Sequence, residues 1–154
     1  MNIEVKTKTI DVEDQKQCTH LEALFVEYSA ACSVSIDVGV VKQLFSLPYF
    51  HGFICYVDNE PAGFAVCFES YSTYRAKKVL NIHDFMVSAK YRGKGIGKLL
   101  LDGVDRYCRD NDFLKITLEV DEDNVIAQKL YLSCDYEDYK VKQKGLLHWQ
   151  KYLS

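Results

Sequence analysis

The sequence predicts an α/β fold (α+β mixed sheet): a central, mostly antiparallel sheet of about six or seven strands flanked by about four helices. Three observations carry this. The first half is rich in short alternating or aromatic runs broken by turn residues. At Gly95 the apolar period switches abruptly from two to about 3.6. Strand-like and helix-like runs then alternate toward the C-terminus.

The elements follow in order. Residues 3–10 alternate polar and apolar and read as a strand. Over 14–32, Cys18, Leu21, Phe25, Tyr28 and Cys32 recur at spacings of three and four, which predicts an amphipathic helix. A shorter helix is expected over 37–47, stopping before Pro48. "FHGFICYVD" and "AGFAVCFESYS" form a hairpin signal, with Asn59, Pro61 and Gly63 as its punctuation. Residues 79–88, "VLNIHDFMVS", are a further strand on which His83 and Asp84 would face opposite sides.

Ile96, Leu99, Leu100, Val104, Tyr107 and Cys108 share one face of a helix ending near Asn111, with Gly103 on the same stripe, where a missing side chain allows close packing on a sheet. "FLKITLEVD" is again a strand. A helix follows with Ala127, Leu130, Tyr131 and Cys134 on one face and Asp123 or Asn124 at its N-cap. The tail reads as two strands around Lys144-Gly145.

Bulk properties bound the function. A chain of 154 residues without repeats or linkers is expected to be one domain, 1–154. A formal charge of −3 and a pI near 5.8 argue against general nucleic-acid binding. No signal-peptide core and no membrane-length apolar run is seen, so a cytoplasmic protein without a membrane partner is expected. The six cysteines are scattered, with no zinc spacing, so buried free thiols and no metal are expected.

The chemistry concentrates in "SAKYRGKGIGKLLL", residues 88–101. A P-loop would need a glycine where Arg92 stands and a Ser or Thr where Leu99 stands. A dinucleotide fingerprint would need its third glycine one position later than Gly97. What survives is a strand, a turn with Arg92, Lys94 and glycines, and a long helix. Such a helix start offers unpaired N–H groups and the positive end of a dipole, suited to a pyrophosphate.

The run Arg92-Gly93-Lys94-Gly95-Ile96-Gly97, the strand before it, and "LEVDEDNVIAQKLYLSCDYE" after it resemble the GNAT superfamily of acetyl-CoA-dependent N-acetyltransferases, closely over about residues 79–138. One departure is Asp135, where the family commonly has glycine; Asp tolerates the left-handed conformation better than most residues. The resemblance implies a GNAT-like sheet and acetyl-CoA as co-substrate. Its pyrophosphate would rest on Arg92, Gly93, Lys94, Gly95, Ile96, Gly97 and Lys98, and its pantetheine arm along Phe85, Met86 and Val87. Asn124 would lie near the pantetheine or thiol end.

Tyr131 would protonate the departing thiolate, for which a phenol that stays protonated at neutral pH is suited. The base is open between His83, whose ordinary pKa suits the task, and Asp84, which could equally bind a substrate cation. Glu119 reads as a solvated or helix-facing charge; His20, His51 and His148 read as structural or surface residues. Direct transfer in a ternary complex is expected, to a small-molecule amine of polyamine or amino-acid-like character. The alternatives are a protein N-terminus or lysine as acceptor, and a non-catalytic acyl-CoA-binding or sensing module. Relatives that pair through sheets or tails make a homodimer an option.

Overall fold

A computed structural model of the chain describes residues 2–32, 35–37, 39–138 and 149–153. The order is β1 (Val5–Thr9), α1 (Gln15–Ala31), α2 (Val40–Phe45), β2 (Phe50–Val57), β3 (Glu60–Ser72), β4 (Lys77–Val87), a 3-10 turn (Ala89–Tyr91), α3 (Ile96–Asp110), β5 (Lys115–Leu118) and α4 (Val125–Ser133). The five strands lie in sequence order in one sheet. β1 to β4 are antiparallel neighbours, and β5 joins β4 in parallel.

The mixed sheet and four helices are as expected; among the described residues the sheet has five strands, fewer than predicted. The C-terminal hairpin expected around Lys144-Gly145 lies at 139–148, outside the described residues.

Each face of the sheet carries its own core. α1 and α2 cover one with Leu21, Phe25, Val41, Ile54, Phe64, Val66 and Met86. α3 covers the other with Leu100, Leu101 and Val104 against Phe53, Cys67, Leu80 and Ile82, and α4 adds Tyr131. The stripe predicted for α3 holds except at one step: Leu101 is buried and Leu99 is exposed. Gly103 has the predicted role, since a Cβ there would meet Thr7 Cγ2 of β1 at 2.3 Å. Thr7 in turn donates from Oγ1 to Leu99 O at 3.0 Å.

Local chemistry sets the boundaries. The Asp14 side chain caps α1 by accepting from the Lys16 and Gln17 amides, and Asn124 caps α4 through Ala127 N–H. The β2–β3 turn is Asp58-Asn59, both at positive φ, as a two-residue hairpin requires. Pro61 and Gly63, expected in that turn, instead lie inside β3; Pro61 stands at a register shift, and Gly63 lets Met86 O approach. No helix among the described residues is long and apolar enough to cross a membrane.

Candidate active site

β4 carries the site because its two ends behave differently. From Val79 to Ile82 it pairs with Lys115 to Leu118 of β5; beyond Ile82 that pairing stops. β5 ends at Leu118, and the acidic stretch after it leads into α4. His83 to Val87 therefore keep β3 on one side and, among the described residues, face a gap on the other.

The alternation of an antiparallel ladder decides which backbone groups face that gap. Ser88 N–H donates to Ala62 O at 2.8 Å, so Ala62 and Ser88 are a bonded pair. In the same register Phe64/Met86 is bonded, whereas Gly63/Val87 and Ala65/Phe85 are not. The N–H and C=O groups of Phe85 and Val87 thus point into the gap. Those of Met86, expected to do the same, serve β3, and its side chain is buried in the α1 core. The Val87 carbonyl is partly engaged: Arg92 Nε donates to it at 2.9 Å.

The glycine turn closes one end of the gap. Gly93 and Gly95 have φ of 74° and 79°, the left-handed region, and a Cβ at either would meet no protein atom within 4 Å. The turn is shaped by backbone conformation and leaves open space above itself. Gly95 is the N-cap of α3 without a side-chain cap bond, and the first bond back to it comes from Leu99 N–H. The amides between therefore project unsatisfied from the helix start. Arg92, Lys94 and Lys98 are exposed around them, while the Ile96 side chain is buried and anchors the turn in the core. Gly97 faces inward, with Leu130 of α4 at 3.0 Å from a notional Cβ.

Tyr131 stands on the α3/α4 face, buried, with its ring edge-on to Phe85 at 6.0 Å and beside Tyr136 at 5.8 Å. Burial pushes its phenol pKa up, which keeps it protonated. Asp135, the departure from the glycine pattern, adopts φ 66° and ends α4 as glycine would. Tyr136 N–H then reaches back to Tyr131 O at 3.0 Å.

His83 and Asp84 lie on the other face, and together. Strict alternation would place them on opposite sides, but the β3 partner of Ile82 is Cys67 and that of Asp84 is Val66. His83 is the extra residue of a β-bulge. The bulge puts both side chains on the α1 face, where His83 Nδ1 and Asp84 Oδ2 are 3.0 Å apart. Asp84 Oδ1 accepts from Tyr28 OH of α1 at 3.1 Å. Burial and the adjacent carboxylate push the Tyr28 pKa up, so it stays a donor.

A model described as the Acetyltransferase (GNAT) family matches residues 20–136. The chain belongs to the GNAT acetyltransferase family. It is 30% identical over 100 residues to an uncharacterized N-acetyltransferase of Methanocaldococcus jannaschii, covering 64% of this chain and 44% of that protein. It is 29% identical over 86 residues to a thialysine N-epsilon-acetyltransferase of Caenorhabditis elegans, covering 56% of this chain and 53% of that one. The chain spans about half the length of the curated relatives it matches. In fold it is similar to an aminoglycoside acetyltransferase from an uncultured soil metagenomic sample, solved with sisomicin, at a TM-score of 0.78, 19% identity and 97% coverage of both chains. An aminoglycoside N-acetyltransferase solved with CoA gives a TM-score of 0.75 at 15% identity, covering 98% and 97%.

In this GNAT chain the expected site residues thus fall into three groups: the open turn at 92–98, Tyr131 on one sheet face, and His83/Asp84 on the other. The Asn124 side-chain oxygen is committed to capping α4. Glu119 is exposed. His20 bonds Tyr56 OH, and His51 lies between Glu69 and Tyr107, both away from the gap. Two residues without a motif to mark them also hold the site. Tyr28 read as one member of an apolar stripe, yet its hydroxyl holds Asp84. Glu27 beside it binds Ser88 Oγ at 2.7 Å and Ala89 N–H at 2.9 Å, fixing the end of β4 to α1.

Proposed function

We propose that this chain transfers an acetyl group from acetyl-CoA to a primary amine of a small molecule, by direct attack in a ternary complex. The observation that carries the reading is the gap beside β4. It is flanked by Tyr131 on one face of the sheet and by His83 and Asp84 on the other, and the open glycine turn lies at its end.

The parts fit the donor. Backbone amides at 93–98 with Arg92, Lys94 and Lys98 suit a pyrophosphate. Phe85 and Val87 offer strand-like partners to the amides of the pantetheine arm, and an N–H there would polarise the thioester carbonyl. Tyr131, protonated and buried, would give its proton to the departing sulfur. The His83/Asp84 pair would take the proton that keeps an amine unreactive at neutral pH.

A small cationic acceptor is favoured by the negative net charge and by a carboxylate on the acceptor side. It is also favoured by the relatives named for thialysine and aminoglycoside acetylation. The test is a panel of polyamines, amino acids, aminoglycosides and peptides, with thiol detection of released CoA. Release with small amines supports the reading, and release with peptides alone shifts the acceptor to protein. No release with any member favours an acyl-CoA sensor. A stoichiometric acetyl-cysteine formed from acetyl-CoA alone would overturn direct transfer.

A further inference from the structure

The contacts around the bulge divide the roles of His83 and Asp84. The ionised Asp84 carboxylate can only accept hydrogen bonds, and each oxygen already has a donor: Tyr28 OH on Oδ1 and His83 Nδ1 on Oδ2. Nδ1 must therefore carry the imidazole proton, which leaves Nε2 as the bare nitrogen. Exposure agrees, since the His83 side chain is 62% exposed and that of Asp84 is 24% exposed. The assembly is braced by rings: Phe68 packs edge-on to His83 at 5.4 Å, and Tyr28 packs edge-on to Phe64 at 5.4 Å and to Phe25 at 5.7 Å.

We infer that Tyr28, Asp84 and His83 form a linear relay in which His83 Nε2 is the base, while Asp84 and Tyr28 are positioning residues acting through it. The inference rests on the acetyl-transfer reading above and assigns the proton path within it. One ammonium proton of the acceptor passes to Nε2 and is lost to solvent. The freed nitrogen lone pair attacks the thioester carbonyl carbon, and the C–S bond breaks. Tyr131 gives its proton to the sulfur, and the second proton shed by the acylated nitrogen restores the phenol.

Among the described residues, these groups face the pair. Tyr28 and Cys32 come from α1, and Cys67 of β3 lies toward the opposite face. Asp84 is the carboxylate in contact with His83. Two substitutions therefore move the histidine in opposite directions. Asp84→Asn removes the negative charge that favours imidazolium and allows the proton to move to Nε2. Tyr28→Phe removes a competing donor and leaves that charge more fully to His83.

The test is a nitrogen-15 NMR titration of the histidines in the full chain, with His83 assigned from His83→Gln, run beside pH profiles of kcat/KM. The wild type is expected to show the Nδ1–H tautomer when neutral. Asp84→Asn should mix the tautomers and lower the His83 midpoint by about half a pH unit or more, whereas Tyr28→Phe should raise it. The acid limb of kcat/KM should follow in each case. An Nε2–H tautomer in the wild type, or a midpoint that neither substitution moves, overturns the relay. So does Asp84→Asn raising only the KM for the amine, which would make Asp84 an ammonium anchor. The NMR result stands without turnover. Expected tautomers with no CoA release from any amine would keep the order of hydrogen bonds but remove the acetyl-transfer reading, and with it the base role of His83.

Discussion

Glu27 of α1 and Ser88 at the end of β4, sixty-one positions apart in sequence, are joined by a 2.7 Å hydrogen bond from the serine hydroxyl to the carboxylate. The same carboxylate accepts from Ala89 N–H, and these two donors, the hydroxyl foremost, hold its pKa below the ordinary value of 4.5. A carboxyl with a depressed folded pKa contributes stability that is fully present above its unfolded value and lost as pH falls through the folded one. Glu27→Gln should therefore flatten the loss of stability below about pH 4.5 while changing little above pH 7 in slope. Urea unfolding of both proteins at pH 7 and pH 3.5 measures this; parallel losses in the two would refute it.

Tyr131→Phe keeps the ring that packs on Phe85 and removes only the proposed proton donor. The expected result is a fall in kcat of about 100-fold or more with acetyl-CoA affinity preserved. Steady-state kinetics with calorimetric binding checks both halves. Unchanged kcat would transfer the acid role elsewhere.

Gly95→Glu puts a carboxylate into the turn proposed for pyrophosphate, in space where a Cβ meets no protein. The left-handed φ of 79° adds strain of about 1–2 kcal/mol, which a folded domain withstands. Acetyl-CoA binding should weaken by about tenfold or more, equivalent to about 1.4 kcal/mol. Circular dichroism and calorimetry separate folding from affinity, and retained affinity would move the donor away from this turn.

Tyr136 has a buried hydroxyl without a hydrogen-bond partner among the described residues. Leaving such a group unmade costs about 1–3 kcal/mol, so Tyr136→Phe should stabilise the fold by about 1 kcal/mol. Chemical denaturation at pH 7 decides the sign; a clear loss of stability would mean the hydroxyl has a partner in solution.

Local rules carried much of this molecule in the sequence. The stripe of α3, Leu99 excepted, and its gap at Gly103 followed from helical spacing alone, because both depend on neighbours three and four residues apart. The left-handed turn at Asp135 followed from side-chain chemistry at one position. The failures share a cause in long-range pairing. Nothing in "NIHDFM" marks His83 as an extra residue, because a bulge is defined by the partner strand. Likewise Tyr28 has the spacing of a core residue, and only the approach of α1 to β4 gives its hydroxyl a task. Which amides of β4 are free depends on the β3 register and on where β5 stops.

The bulge at His83 also sets a reading frame for the rest of its strand. Ile82 below it and Phe85 above it face the same side of the sheet, three positions apart, where an unbroken strand would need an even number. Running the same residues through in unbroken alternation, without the bulge, would turn every later side chain over: Asp84 would enter the apolar core under α3, and Phe85 would leave Tyr131. The pairing of Ile82 with Cys67 and of Asp84 with Val66, which leaves His83 over, is therefore as much a part of the site as the side chains themselves.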